Sequence, residues 1–365
     1  MSRVDALRDA GVSVWLDTLS RELLASGAFA ELVEDYGVTG ATSNPTIFAK
    51  AMSGSAGYDD PLHDLAASGI RDPQELFFAL ALDDVGRAAD LLLPAYRASD
   101  GRDGFVSFEC TPDLADDTDA TIEEAVALWT RLDRPNVMIK VPATVPGVAA
   151  IEELTARGVN VNVTLLFSVA RYEEVIEAYI RGLERRVAAG SPVDRIASVA
   201  SFFVSRIDAK VDPTLASDPS LRGHVAIANA HRAYGRYRDR FSGERWLRLR
   251  RAGARPQRPL WASTGTKDPA YSDVLYVERL IAPDAINTMP EATLRAFADH
   301  GVVRGAGTVD PVAAEDVLRR AAEAGVDLDA VAAQLERDGV RAFCDSYDEL
   351  LAGLETKLRT TAVAR

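Results

Sequence analysis

Apolar residues follow two alternating patterns along the chain, short runs typical of buried strands and longer stretches with helical spacing. Eight short runs predict β-strands, at Val12–Asp17, Val38–Ser43, Gly104–Glu109, Asn136–Val141, Val159–Leu165, Ile196–Phe203, Pro259–Ser263 and Asp284–Thr288. Helical stretches lie between them, at Leu19–Tyr36, two or more within Pro61–Ala98, and at Thr118–Arg131, Val148–Arg157, Ser168–Ala189, Gly223–Arg240 and Tyr271–Ile281. Three more follow the last strand, at Glu291–His300, Pro311–Ala324 and Leu328–Leu358. This alternation predicts a parallel sheet joined by helical crossovers.

Eight strand–helix units fit a single (β/α)8 TIM barrel, which can occupy one domain of 365 residues. We therefore expect one barrel domain over residues 1–365, with extra helices after strand eight, at about 290–360, packing on the barrel. A doubly wound open sheet is the alternative. No glycine-rich nucleotide-binding motif follows the first strand and no P-loop is present, which weakens that alternative without excluding it.

Lys140 is the most informative single position. The chain has 41 basic residues, of which only five are lysines, and Lys140 lies within an apolar strand. A buried lysine can lose its proton, whereas an arginine cannot, and the neutral amine is a nucleophile that forms a Schiff base with a carbonyl. The alternative is a lysine at a strand end that extends to solvent. Side chains two apart share a strand face, so Lys140 lies with Met138 and opposite to Val137, Ile139 and Val141, which suit packing against helices.

Polar groups end seven successive predicted strands, and in a barrel such groups meet at one mouth. Asp17, Asn44, Glu109, Lys140 and Thr164 are among them, together with Asn162, Ser201, Arg206 and Ser263. Strand capping alone would explain one or two of these groups. Two carboxylates beside a lysine suit imine formation followed by carbon–carbon bond cleavage, because each step moves a proton. Amides and hydroxyls suit a sugar, and arginine suits phosphate.

Four motifs in this order resemble those of transaldolases, and together they span most of the chain: Thr42–Thr46, Met138–Thr144, Asn162–Ser168 and Ser201–Ile207. The segment Pro256–Lys267 is similar to the longer transaldolases of actinobacterial type. The resemblance implies a (β/α)8 enzyme of the non-oxidative pentose phosphate pathway that needs no cofactor and no metal. It would move a dihydroxyacetone unit from sedoheptulose 7-phosphate to glyceraldehyde 3-phosphate, giving erythrose 4-phosphate and fructose 6-phosphate.

The resemblance also implies roles for individual residues. Lys140 is similar to the Schiff-base lysine, and Glu109 to the acid/base that works through a water near Thr164. Asp17 is similar to the group that handles the hydroxyl proton during cleavage. The side chains expected to bind substrate are Asn44, Asn162, Ser201, Phe203, Arg206, Ser263 and Lys267.

The phosphate site departs from the family pattern. Many transaldolases have a second phosphate-binding arginine where this chain has Gly265, and Lys267 is the expected substitute. Phe203 stands where related fructose 6-phosphate aldolases tend to have tyrosine, which weakly favours transfer over free aldol cleavage. A Schiff-base aldolase that releases dihydroxyacetone remains an alternative. A non-catalytic sugar-phosphate-binding barrel is a further alternative, but it would need no lysine–carboxylate pair. A metal-dependent aldolase is disfavoured, because the four histidines lack the spacing of metal ligands.

Composition limits the partners further. The net charge of −14 argues against a nucleic-acid or anionic-membrane partner, and the arginine-rich segment 232–258 is interpreted as a solvated helix and connector. Two cysteines cannot build a disulfide framework, no apolar run reaches membrane-spanning length, and the first residues lack a secretory signal. We therefore expect a cytoplasmic protein, a monomer or homodimer, whose partners are phosphorylated sugars.

Overall fold

Eight parallel strands form a closed barrel in sequence order in the computed structural model, which describes residues 2–304 and 309–363. The strands are β1 Ser13–Leu16, β2 Gly40–Thr42, β3 Val106–Glu109, β4 Val137–Pro142, β5 Val161–Leu166, β6 Ser198–Phe203, β7 Arg258–Ala262 and β8 Ile286–Met289. β8 pairs with β1 and closes the ring. The predicted (β/α)8 barrel is confirmed, and the open sheet is excluded.

The helices surround this barrel. They are α1 Arg3–Asp9, α2 Arg21–Ala25, α3 Ala28–Tyr36, α4 Pro45–Gly54, α5 Asp59–Ala67, α6 Pro73–Ala98, α7 Thr118–Leu132, α8 Val145–Arg157, α9 Val169–Ala188, α10 Ser205–Val211, α11 Val225–Arg240, α12 Glu244–Arg251, α13 Leu275–Arg279, α14 Glu291–His300, α15 Pro311–Glu323 and α16 Leu328–Val363. In the described part of the chain, none of them has both the length and the apolar character needed to cross a bilayer.

Most predicted elements agree with the observed ones to within a few residues. The clearest difference is the helix predicted over Leu19–Tyr36, which is two helices, α2 and α3. Gly27 separates them with φ of 84°, a left-handed conformation that an L-residue with a side chain rarely adopts. The helices α1, α4 and α10 were not predicted. The seven residues of α1 and of α10 are too few to display a helical period.

The side chains of β4 divide between the two faces of the barrel wall as the alternation predicts. Val137, Ile139 and Val141 are fully buried, and β4 packs against α7 and α8 on the outside. Lys140 points into the barrel, where its amine contacts Ser43, which follows β2, and Glu109 of β3. The barrel wall therefore carries a lysine on its inner surface near the carboxyl ends of the strands.

The long helix α16 packs across the carboxyl-terminal end of the barrel. Its Ser346 hydroxyl hydrogen-bonds that of Thr46 on α4, at 2.8 Å. Gly339 lies against Leu165, close enough that a Cβ at that position would be 2.8 Å from the leucine Cδ2. Tyr347 packs edge-on against Phe77 of α6, with ring centroids 5.6 Å apart. α14 and α15 pack elsewhere on the helical layer, against α1 and α11.

The arginine-rich segment 232–258 comprises the end of α11, all of α12 and the first residue of β7. Arg245 makes ion pairs with Glu177 and Glu184 of α9, both at 2.7 Å, and Arg240 also pairs with Glu177. These side chains are partly exposed, so each pair stabilises the fold by less than about 1 kcal/mol. These ion pairs join α11 and α12 to α9 at the surface.

The close packing of α8 against the end of β4, the strand that carries Lys140, gives a testable prediction about stability. A Cβ at Gly147 in the first turn of α8 would lie 2.0 Å from the carbonyl oxygen of Pro142. We expect Gly147→Ala to lower the free energy of unfolding by about 3 kcal/mol, because backbone must move. Gly353→Ala in α16, where nothing lies within 4 Å, should raise it by about 1 kcal/mol. Urea unfolding followed by circular dichroism measures both, and equal stability of Gly147→Ala and wild type would contradict the prediction.

Candidate active site

Lys140 and Glu109 form the centre of the barrel mouth. They are directly paired positions on β4 and β3, so the sheet register places their side chains side by side. Lys140 Nζ donates to Glu109 Oε2 at 3.1 Å and to the main-chain carbonyl of Ser43 at 2.9 Å. Both side chains are 5% exposed. The predicted lysine–carboxylate pair is therefore present, and the lysine does not extend to solvent.

The electrostatics of this pair suit proton exchange. Burial raises the pKa of Glu109, and the neighbouring Lys140 ammonium opposes that rise. The hydrogen bond from Nζ to Oε2 offers a direct route for proton transfer between the two groups. The product is a neutral amine beside a neutral carboxylic acid. This is the form in which a lysine attacks a ketone.

Asp17 lies at the end of β1, three strands from Lys140. Its N–H donates to Met289 O at 2.8 Å, which continues the pairing of β1 with β8. Its Oδ1 accepts a hydrogen bond from Thr42 at 2.8 Å, and Thr42 also hydrogen-bonds the hydroxyl of Thr288 at 2.8 Å. Burial raises the pKa of Asp17, while the charge of Lys140 and the Thr42 hydrogen bond oppose the rise. The mouth thus holds two carboxyl groups in different surroundings.

Asn162 does not line the cavity at the barrel mouth. Its side chain hydrogen-bonds the hydroxyl groups of two serines instead. Its Nδ2 donates to Ser107 Oγ at 2.8 Å, and its Oδ1 accepts from Ser201 Oγ at 2.7 Å. Asn162 is fully buried, whereas Ser201 lines the cavity. Asn44, from the start of α4, also lines the cavity; its Oδ1 caps that helix by accepting from Ile47 N at 3.0 Å.

Thr164 presents a buried hydroxyl that has no protein partner among the described residues. The register of β5 against β6 shifts between Val163 and Leu166, and Leu165 has φ of 54°. Such a bulge at a barrel rim redirects the neighbouring side chain. Because a buried hydroxyl is costly to leave unpaired, Thr164 Oγ1 is suited to hold a water or a substrate oxygen in the cavity.

Cationic side chains line the outer part of the same cavity. Arg206 lies over the ring of Phe203, 5.2 Å from its centroid, and its guanidinium makes no hydrogen bond within the described chain. Lys267 is exposed and lines the cavity beside Ser263 and Gly265. Ser263 has φ of 56°, and its Oγ lies 2.9 Å from Ser205 Oγ. This combination can bind a phosphate group.

Nine of the eleven residues predicted for the site line this cavity, whose volume is ≈160 Å³. The other two, Glu109 and Asn162, lie directly behind it and hydrogen-bond Lys140 and Ser201. Sequence reasoning missed Thr42, Thr288, the Ser43 carbonyl and Phe343. Thr288 could have been found, since it ends the eighth predicted strand. Phe343 comes from α16, and no local signal in the sequence indicates that this helix reaches the mouth.

Fold and site together define the class of the protein: a (β/α)8 barrel with a lysine–carboxylate pair at its mouth. The family model described as Transaldolase/Fructose-6-phosphate aldolase matches residues 14–354. The chain is 52% identical over 362 residues to a transaldolase of Saccharopolyspora erythraea, with 98% of each chain covered. It is 51% identical over 363 residues to a transaldolase of a Parafrankia species, again with 98% of each covered. A transaldolase of Mycolicibacterium smegmatis is 48% identical over 361 residues, or 97% of this chain and 96% of the relative.

The chain belongs to the transaldolase/fructose-6-phosphate aldolase family, since the match extends over nearly its whole length. It is an enzyme of the transaldolase type, as the resemblance of its motifs implied. Membership implies phosphorylated sugars as substrates. The prediction of the family is confirmed, whereas the role of each site residue remains a prediction.

The hydrogen bond from Thr42 to Asp17 gives a pH-dependent prediction. The bond stabilises the carboxylate, so Thr42→Val should raise the pKa of Asp17 further. A carboxylate that accepts a proton in turnover works only when ionised, so activity falls as pH falls through its pKa. We expect the acid limb of kcat/KM to move to higher pH in Thr42→Val.

Thr288→Val is the matched control for that measurement. It removes a hydroxyl that contacts Thr42, and it leaves the bond from Thr42 to Asp17 in place. Its acid limb should stay close to that of the wild type. Identical pH profiles for Thr42→Val and wild type would contradict a catalytic role for the Asp17 carboxylate.

Proposed function

We propose that this enzyme transfers a dihydroxyacetone unit from sedoheptulose 7-phosphate to glyceraldehyde 3-phosphate through an imine on Lys140. The products are erythrose 4-phosphate and fructose 6-phosphate, a reaction of the non-oxidative pentose phosphate pathway. The observation that carries the proposal is the buried Lys140–Glu109 pair, with Nζ and Oε2 3.1 Å apart. Full-length similarity to proteins named transaldolase supports it independently. We further propose a cytoplasmic monomer or homodimer.

Imine formation begins when the neutral Lys140 amine attacks the ketone carbon of the donor. A proton moves from nitrogen to the oxygen of this first adduct and gives the carbinolamine. A second proton, given to the hydroxyl, lets it leave as water, and the iminium ion remains. Glu109 is suited to exchange these protons, because it accepts a hydrogen bond from Nζ and because burial raises its pKa, which favours its protonated form. A water held by the unpaired hydroxyl of Thr164 would extend its reach to the carbinolamine oxygen.

Carbon–carbon cleavage follows once the iminium ion has formed. Asp17 takes the proton of the hydroxyl on the carbon beyond the breaking bond, and that carbon becomes the aldehyde of the first product. The bonding electrons move to the iminium, which becomes a neutral enamine held on Lys140. Addition of the enamine to the acceptor aldehyde reverses these movements, and hydrolysis of the new imine releases the ketose. Asp17 takes up the proton during cleavage and returns it during addition, and the hydrogen bond from Thr42 holds its carboxyl group in position.

Substrate binding divides between two parts of the cavity. Asn44 and Ser201 line its inner part and would bind hydroxyls of the dihydroxyacetone unit, with Asn162 holding Ser201 in position. Phe203 contributes an aromatic wall there. Arg206, Ser263 and Lys267 line the outer part and would bind the phosphate.

Free aldol cleavage, with release of dihydroxyacetone, is the second candidate because the family includes fructose 6-phosphate aldolases. Phe203 and the names of the relatives favour transfer. We expect fructose 6-phosphate alone to give only trace dihydroxyacetone, and addition of erythrose 4-phosphate to restore turnover to sedoheptulose 7-phosphate. Rapid acceptor-independent release of dihydroxyacetone would contradict the transferase assignment. A coupled assay with and without acceptor measures this.

The phosphate site yields a prediction that concerns Lys267. Lys267→Ala should raise KM for the phosphorylated acceptor roughly tenfold with little change in kcat, because a charge-assisted contact is lost. Gly265→Arg should compensate in the double variant, since a Cβ at Gly265 has no contact closer than 3.5 Å. Unphosphorylated glyceraldehyde is the control, and its KM should not change. An equal effect on both acceptors would show that Lys267 does not bind phosphate.

A further inference from the structure

A second cavity opens at the amino-terminal end of the barrel, opposite the mouth that holds Lys140. Its volume is ≈870 Å³, against ≈160 Å³ for the catalytic cavity. Residues at the starts of strands form its wall, including Ser13 of β1, Ser198 of β6 and Arg258 of β7. Met138 of β4 also lines it, on the same strand face as Lys140 and two residues earlier. About one layer of side chains therefore separates the two cavities.

The inner part of this amino-terminal cavity is lined by apolar side chains and by one carboxylate, that of Asp103, which is fully hydrogen-bonded. Phe105, Met138 and Val199 supply apolar surface. Asp103 also lines the cavity, but its carboxylate already accepts hydrogen bonds from Trp15 Nε1 and Thr39 Oγ1, both at 2.8 Å, and from Ser13 Oγ. The Asp103 carboxylate is therefore held by hydrogen bonds within the barrel wall and does not pair with the arginines at the opening.

The opening is rich in arginine although the whole chain is acidic. Six arginines and four aspartates line the cavity, in a chain with 41 basic and 55 acidic residues. The arginines are Arg102, Arg195, Arg238, Arg250, Arg255 and Arg258. This local excess of positive charge is the reverse of the charge balance elsewhere.

Several of these guanidinium groups have no carboxylate partner. Within residues 2–304 and 309–363, the side chains of Arg102, Arg238 and Arg250 make no hydrogen bond or ion pair. Arg258 donates only to neutral acceptors, which include Asp284 O at 2.8 Å, Arg102 O at 3.0 Å and Ser13 Oγ at 2.7 Å. Arg195 and Arg255 both pair with the carboxylate of Asp100, and Arg195 also lies 3.7 Å from that of Asp194.

We propose that the amino-terminal cavity is a binding site for a small phosphorylated anion, distinct from the catalytic mouth. Uncompensated arginines around a recess focus positive potential on it, and guanidinium groups bind phosphate oxygens in pairs. The recess and its apolar inner wall suit a small molecule rather than an extended polymer. This site does not depend on the proposed reaction, because it shares no lining residue with the catalytic cavity.

Calorimetric titration with inorganic pyrophosphate at fixed ionic strength tests the site. The protein used is the full chain with Arg206→Gln, which removes the guanidinium proposed to bind phosphate at the mouth. We expect saturable binding, weakened roughly tenfold by Arg250→Gln and likewise by Arg238→Gln, because each removes a charge-assisted contact. Both arginines are exposed and unpaired, so the fold should not suffer.

Arg251→Gln is the matched control. Arg251 is the next residue of α12, is equally exposed and does not line the cavity, yet its replacement removes the same charge. The pyrophosphate affinity of this variant should stay within about twofold of that of the parent Arg206→Gln protein, as expected for a screened surface charge. The proposal is overturned by absence of pyrophosphate binding, by binding that Arg238→Gln and Arg250→Gln leave unchanged, or by equal loss in Arg251→Gln.

Discussion

The ion pair between Lys140 and Glu109 is the interaction on which the rest of the site depends. Both side chains are 5% exposed, so both charges lose most of their hydration on folding. Such desolvation costs several kcal/mol for each ion, and loss of one partner alone typically destabilises a protein by about 3–5 kcal/mol. The pair persists because adjacent strands hold it in register and the Ser43 carbonyl accepts a second hydrogen bond from the amine. A pair of this kind contributes little to net stability, but it places a reactive amine beside its proton acceptor.

The surrounding barrel keeps the two carboxyl groups of the mouth in different environments. Glu109 shares its proton with an amine, whereas Asp17 accepts a hydrogen bond from Thr42 and lies three strands away. Groups whose surroundings differ in this way can take different proton-transfer tasks within one reaction. The division proposed here, with Glu109 serving imine formation and Asp17 serving bond cleavage, is the one that the family resemblance implies, and the difference in contacts supports it.

Much of this arrangement could be predicted from the sequence because it depends on local rules. The eight strands follow from apolar runs, and alternation along β4 puts Lys140 inside. Parallel strands then bring their polar ends to one mouth. What could not be predicted depends on contacts between distant segments. Asn162 lies on the expected face but is used to hold Ser107 and Ser201, which depends on strand register.

Phe343 and the amino-terminal cavity are further examples of features set by distant segments. Phe343 reaches the mouth only because α16 crosses the barrel end after all eight strands are complete. The arginines of the amino-terminal cavity come from several loops and from α11, α12 and β7, so the sequence shows only part of their cluster, in the segment 232–258.

The most direct test of the central claim is to trap the covalent intermediate. The enzyme is treated with fructose 6-phosphate and borohydride, which reduces an imine to a stable secondary amine, and the digested protein is mapped by mass spectrometry. The account predicts one adduct per chain on the peptide that carries Lys140, and none in Lys140→Arg that has kept its fold. An adduct on any other lysine, or trapping that persists in Lys140→Arg, would contradict it.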